Sequence, residues 1–215
     1  MRNFVFNLDL TVGINNKSVF RDLVTIFLFY FCFMNYKEQL LKEHSRINTD
    51  RIAKAIGSSS KEFKKIIDII YNEQAPLPQR AAWVLVVVNF NQPQLLTRYI
   101  TLFIDTVKQF NVDAIKRNIM VVLATKVIPN ELQAKLINVC FEFMQSAEET
   151  VVVKVHAMQI IANLAKEHPE LIGELMLVTE DQLPKNTAAF SARARQVLKE
   201  LNKWNNSSEI KKKTE

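Results

Sequence analysis

Side chains able to move a proton, attack a carbon or hold a metal are few in this chain. Its 215 residues contain three histidines, His44, His156 and His168, and two cysteines, Cys32 and Cys140. None of the histidines sits at the spacing of a metal-ligand set or a catalytic triad. Two cysteines cannot build a disulfide framework or a cysteine zinc site within one chain, which fits a reducing compartment and predicts a cytoplasmic protein. Cys140, between Val139 and Phe141, reads as a buried and inert thiol, and His168, just before Pro169, as a surface loop residue. His156 is the more informative histidine. It recurs with Gln159, Asn163 and Lys166 at helical spacing, so the four form the polar stripe of one helix. No cofactor, metal or small-molecule substrate is expected from such a set.

The elements that carry these residues must be helices. Only three glycines and six prolines occur, too few for the turns of a sandwich or barrel or for a phosphate-cradling loop. The net charge of +6 invites a nucleic-acid reading, but it is unevenly spread. Residues 34–65 carry +4, the 17 residues from 199 onward carry +2, and the long body from 66 to 198 carries −1. The body is electrically balanced, and the Lys211-Lys212-Lys213 run reads as a solubilising tail.

Residues 1–33 differ in character from the rest of the chain. Seven of the fourteen phenylalanines lie there, and Leu23 to Met34 is an apolar run of twelve residues broken only by Thr25. A bilayer span takes roughly 20 residues, so the run is too short to cross one. As a signal sequence it has Asp22 against the apolar stretch and no small-residue cleavage site. Three readings stand: an extension upstream of a true start at Met34, a membrane-surface anchor, or a signal. The expected organisation is an apolar extension over 1–33, a helical domain over 34–204 and a polar, lysine-rich, disordered tail over 205–215. A membrane partner enters only if residues 1–33 are retained.

A repeat emerges when the apolar runs are stacked. The segments beginning at Gln79, Lys116, Lys154 and Ala192 align without gaps, and their second positions, Arg80, Arg117, Val155 and Arg193, are 37, 38 and 38 residues apart. Each is preceded by another helical pattern that opens at a breaker: Ser60, Pro93, Pro129 with Asn130, and Pro169. Ahead of them, Asn48 or Thr49 to Gly57 predicts one further short helix with a glycine C-cap. The helix around Trp83 is apolar almost all round, which predicts cover on several sides and Trp83 in the core. Helix pairs of this size cannot bury both apolar faces alone, so they must stack. The predicted fold is all-α, a solenoid of about four helix pairs.

Period, helix-turn-helix unit and the basic residue early in each second helix resemble HEAT or armadillo-like repeats over roughly residues 43–203. The resemblance implies a right-handed α-α superhelix, second helices lining a concave surface, and an aspartate six residues before each arginine that forms an ion-pair ladder. This chain departs from that ladder: Asp113 stands four before Arg117, Pro76 and Pro78 precede Arg80, and Val155 replaces the third arginine. The groove candidates on the second helices are Arg80, Lys116, Arg117, Lys154, His156, Gln159, Arg193 and Arg195.

Two enzyme resemblances are fragmentary. Leu183-Pro184-Lys185-Asn186 resembles fragments of the fumarase and adenylosuccinate lyase signature, but it falls in an inter-helix connection of a chain about half the length of those enzymes. DNA alkylation-repair glycosylases have a HEAT-like architecture, yet no groove aspartate or tryptophan of theirs can be carried over to a position here. The expected function is therefore a non-enzymatic scaffold that binds a protein or peptide partner on its concave surface. The alternative is a nucleic-acid-binding protein of the glycosylase-like architecture, using the basic segment 37–65 and the groove arginines.

Overall fold

The computed structural model describes residues 34–212, with side chains as far as Trp204; the readings made on residues 1–33 lie outside it. Ten α-helices and no strand occur among the described residues. They are α1 (Tyr36–Lys42), α2 (Arg46–Ile56), α3 (Ser60–Asn72), α4 (Leu77–Asn91), α5 (Ile100–Thr106), α6 (Asp113–Leu123), α7 (Asn130–Gln145), α8 (Val151–Leu164), α9 (Leu171–Gln182) and α10 (Ala188–Lys212). All four aligned segments fall inside α4, α6, α8 and α10. These second helices pack one upon the next, and α2 precedes α4 in the same row, so a shorter pair, α1 with α2, adds a fifth layer at the N-terminal end.

Local chemistry explains the helix boundaries. The hydroxyl of Ser45 accepts from the backbone N–H of Asn48, which makes Ser45 rather than Asn48 or Thr49 the N-cap of α2. Asn48 turns inward instead, donating from Nδ2 to the carbonyls of Gln39 and Glu43 at 2.8 Å each and fixing the α1 to α2 turn. Ser59, one residue before the expected Ser60, caps α3. Gly57 closes α2 at φ +51°, where a side chain is disfavoured, and its N–H bonds the Ala53 carbonyl. The helix expected from Pro93 is broken: 3₁₀ turns cover Pro93–Leu95, Thr97–Tyr99 and Val107–Gln109, leaving α5 only seven residues. Thr97, Ile100, Thr101, Ile104, Thr106 and Val107 are β-branched and lose rotamer freedom in a helix, which weakens its hold here.

The core runs along the seam between the two rows. In α4, Ala81, Ala82, Val84, Leu85, Val87 and Val88 are all buried, as an element with neighbours on several sides requires. Trp83 is only half-buried; its ring meets the edge of His44 at 5.3 Å. Phe190, Ala194, Val197 and Leu201 form the buried stripe of α10 as far as Trp204, where its other positions are exposed or half-buried. Full burial of each large apolar side chain stabilises the fold by about 1.5–3 kcal/mol. The stretch expected as a disordered tail from 205 is helical as far as Lys212. No glycine or proline interrupts 188–212, so the sequence carries no stop signal that would end the helix at 204.

Successive layers are also tied by polar bonds, though not by aspartate and arginine. Along the second helices, Asn89 Nδ2 donates to Thr125 Oγ1 (2.8 Å), Asn163 Nδ2 to the Ala124 carbonyl (2.9 Å), and Arg193 to Gln159 Oε1. Along the first helices, Thr106 gives its proton to the Leu102 carbonyl (2.6 Å), so Tyr71 donates to Thr106 Oγ1 (2.8 Å). Lys135 pairs with Asp105 at 2.7 Å, and Lys108 with Glu142.

Candidate functional site

Stacking the second helices aligns side chains that lie a repeat apart in sequence. Arg117 on α6, His156 on α8 and Arg193 on α10 come together this way. The imidazole of His156 is half-buried; desolvation first, and then the charges of Arg193 and Arg117, hold its pKa below the ordinary histidine value. Both charges acting on it are positive, and none is a carboxylate. Arg193 also donates to Gln196 Oε1 at 2.7 Å, Gln159 Nε2 donates to Asn163 Oδ1 at 2.9 Å, and Asn163 reaches the α6 carbonyl of the ladder. A polar chain thus runs from α10 through α8 to α6, and it orients the Arg193 guanidinium. Arg117 is exposed and makes no hydrogen bond or ion pair among the described residues. At the end of the stripe a cavity of about 50 Å³ lies between Gln159, Asn163, Leu201 and Trp204.

The remaining candidates lie elsewhere. Arg195 is exposed but stands two residues after Arg193, about 200° round the helix, and so looks away from His156. Arg80 donates to the carbonyls of Leu40 (2.7 Å) and Leu41 (3.2 Å), closing the C-terminal end of α1. Lys116 is buried, paired with Glu149, 3.9 Å from Asp113 and 5.9 Å from the centroid of the Phe143 ring. Lys154 is 4% exposed and donates to Gln182 Oε1 at 3.2 Å. Burial pushes its ammonium pKa down, Glu149 opposes that shift and Lys185 adds to it.

Sequence reasoning placed Asn163 in the stripe but not among the groove candidates, and passed over Glu149 and Gln182 altogether. The signal for Asn163 was its spacing from His156 and Gln159. Glu149 and Gln182 carry no local signal, because each finds its lysine about 30 residues away. His168 is more than a loop residue: its Nε2 meets the Oε1 of buried Gln133 at 2.5 Å, tying the α8 to α9 turn to the first turn of α7. Cys140 is fully buried, and desolvation raises its pKa far above the ordinary thiol value, which leaves it unreactive.

The profile of the HEAT repeat domain matches residues 36–201. The chain belongs to the HEAT repeat domain family. No curated protein and no solved structure matches it. The HEAT assignment agrees with the stacked pairs, and it places α1 inside the repeat array together with the helices read from sequence. Within this HEAT array, no cluster of three or more His, Cys, Asp or Glu able to hold a metal occurs among the described residues. No helix of the described residues is long and apolar enough to cross a membrane.

Proposed function

We propose that this HEAT repeat protein is a non-enzymatic scaffold that binds an acidic segment of a partner protein across α6, α8 and α10. The observation that carries the reading is the row Arg117, His156 and Arg193, contributed by three successive second helices, in which both charges acting on His156 are positive. Such a row concentrates positive potential where hydrogen-bond donors already converge. An extended peptide is the natural occupant of a surface built by repetition, since its own period lets it meet one layer after another. Asn163 and Gln159 offer amides for its backbone, and the cavity beside Trp204 accepts an apolar side chain. Arg117 and Arg193 are the contact residues of this reading, Gln159 and Asn163 hold Arg193 in place, and His156 is the residue whose charge responds to occupancy.

Nucleic acid is the competing occupant, and its strongest sequence argument was the basic segment 37–65. In the folded chain four of its cations, Lys37, Arg46, Lys64 and Lys65, are held by carboxylates. That supports a protein partner over a polyanion.

The test uses a fluorescent, N-acetylated and C-amidated glutamate-rich peptide, its lysine-rich counterpart and a DNA duplex. Binding of the acidic peptide by the wild type, weakened about tenfold or more by Arg117→Glu (about 1.4 kcal/mol) with an unchanged thermal melt, is the expected outcome. Retention of the duplex with a steep salt dependence, and no peptide binding, would transfer the face to nucleic acid.

A further inference from the structure

A second site lies at the opposite end of α8. The N-terminal turn of α8, the segment that leads into it and the α9 to α10 connection border an open cavity of about 750 Å³, lined by Glu149, Thr150, Lys154, Gln182, Asn186 and Thr187 among others. That volume falls in the range of small-ligand sites, about 300–1,000 Å³. Two charged groups of its wall, the buried Lys154 and the mostly covered Glu149, have incomplete bonding. Lys154, 4% exposed, has three N–H donors and one bond, to Gln182 Oε1. Glu149 gives Oε1 to Lys116, while its Oε2 is buried and accepts from no group among the described residues.

The two nearest polar neighbours are already engaged. Gln182 Oε1 already accepts from Asn186 Nδ2 (3.1 Å) as well as from Lys154, and Gln182 Nε2 donates to Asp181 Oδ2 (3.0 Å). Lys185 is engaged by Asp181. Glu149 attracts Lys154 through space but takes its hydrogen bond from Lys116, so the two lysines and one carboxylate leave one positive charge in excess. A buried ammonium in that state costs several times an ordinary hydrogen bond. The wall therefore offers one cationic donor group in need of an anion, beside one carboxylate oxygen in need of a donor.

We propose that this cavity binds an α-carboxylate together with the N–H carried on the same α-carbon, Lys154 taking the carboxylate and Glu149 Oε2 the N–H. The ligand is the last residue of a peptide with a free C-terminus, or a free amino acid, since both present this head group. Thr150 and Val151 face its side chain. A carboxylate on Nζ also offsets the burial that depresses the Lys154 pKa, so ligand binding raises it. This site goes beyond the proposed function and does not depend on it.

The experiment titrates N-acetylalanylalanine, its C-terminal amide and free alanine into the full chain carrying 13C-labelled lysines, with Lys154→Met identifying the Lys154 signal. The acid is expected to shift the Lys154 ε-methylene signal saturably and to raise its titration midpoint. Removing the carboxylate charge should weaken binding about tenfold or more (about 1.4 kcal/mol). Lys154→Met removes a buried charge with little change in volume, folds, and abolishes the binding; Lys64→Ala, an exposed cation on α3 outside the cavity lining, retains it. Alanine bound more tightly than the dipeptide assigns a free amino acid, and the reverse assigns a peptide end. Equal binding of acid and amide, an unmoved Lys154 signal, or wild-type binding by Lys154→Met would overturn the proposal. Binding of the C-amidated acidic peptide at Arg117 is unchanged in Lys154→Met, so failure here and failure of the scaffold reading are separable.

Discussion

Lys116→Met tests the electrostatic reading of the repeat interior most directly. Lys116 and Glu149 keep only 11% and 12% of their side chains exposed, whereas Lys64 and Asp68, an ion pair on one turn of α3, keep 64% and 48%. An exposed pair of the second kind contributes about 0.3–0.5 kcal/mol. Removing one partner of a buried pair costs about 3–5 kcal/mol, because the other charge is left in the interior. Lys154 still acts on Glu149 after the substitution, which places the expected loss near the lower end, about 3 kcal/mol. For a domain of this size that corresponds to a melting temperature lower by about 6–12 °C. The double variant Lys116→Met with Glu149→Leu removes the orphan as well and should recover most of the loss, giving a coupling of about 2 kcal/mol. Urea unfolding at neutral pH measures all of these, with Lys64→Ala as the exposed control at about 0.5 kcal/mol or less. A single-variant loss below about 1 kcal/mol, or a double variant that simply adds the two single losses, would refute the assignment of a buried pair.

Three further outcomes rest on individual contacts. Arg80→Ala frees two carbonyls at the end of α1 and should cost about 1.5–3 kcal/mol, with faster amide hydrogen exchange confined to α1 and its turn. Gly57→Ala meets nothing closer than the Lys54 carbonyl oxygen at 3.8 Å, so its cost is the backbone strain at φ +51° alone, about 1–2 kcal/mol in a denaturant melt. His156 has a folded-state pKa below its unfolded value, so the unfolded chain binds more protons beneath about pH 6.5. Stability should therefore fall as the pH drops through that window. Affinity for the acidic peptide should rise over the same window as the imidazole gains its charge, and both trends should flatten in His156→Gln.

The layers of this fold were legible because a HEAT repeat writes its packing into the sequence at fixed intervals. The aligned segments at Gln79, Lys116, Lys154 and Ala192 lie in successive second helices, and the prolines stand at the turns. The short first pair was harder to read. Its helices are 7 and 11 residues long, and its turn is held by Asn48, whose side chain serves two distant carbonyls instead of capping its own helix. Side-chain direction was legible only in part. Adjacent positions of an aligned segment differ by about 100° around the helix, so one residue of offset separates a solvated cation from a buried one. Arg117 is exposed and Lys116 beside it is buried; the aligned Lys154 is buried as well. What decides this is the residue waiting in the next layer, Glu149 for Lys116 and Gln182 for Lys154, and neither lies within its own helical neighbourhood. The same rule accounts for the missing aspartate-arginine ladder. Each link requires only a donor and an acceptor one layer apart, so Asn89 with Thr125, Ala124 with Asn163, and Gln159 with Arg193 perform the joining. None of these three links uses a carboxylate, and Arg117 and Arg193 make no ion pair among the described residues, so an aspartate six residues before each arginine is not needed to hold the layers together.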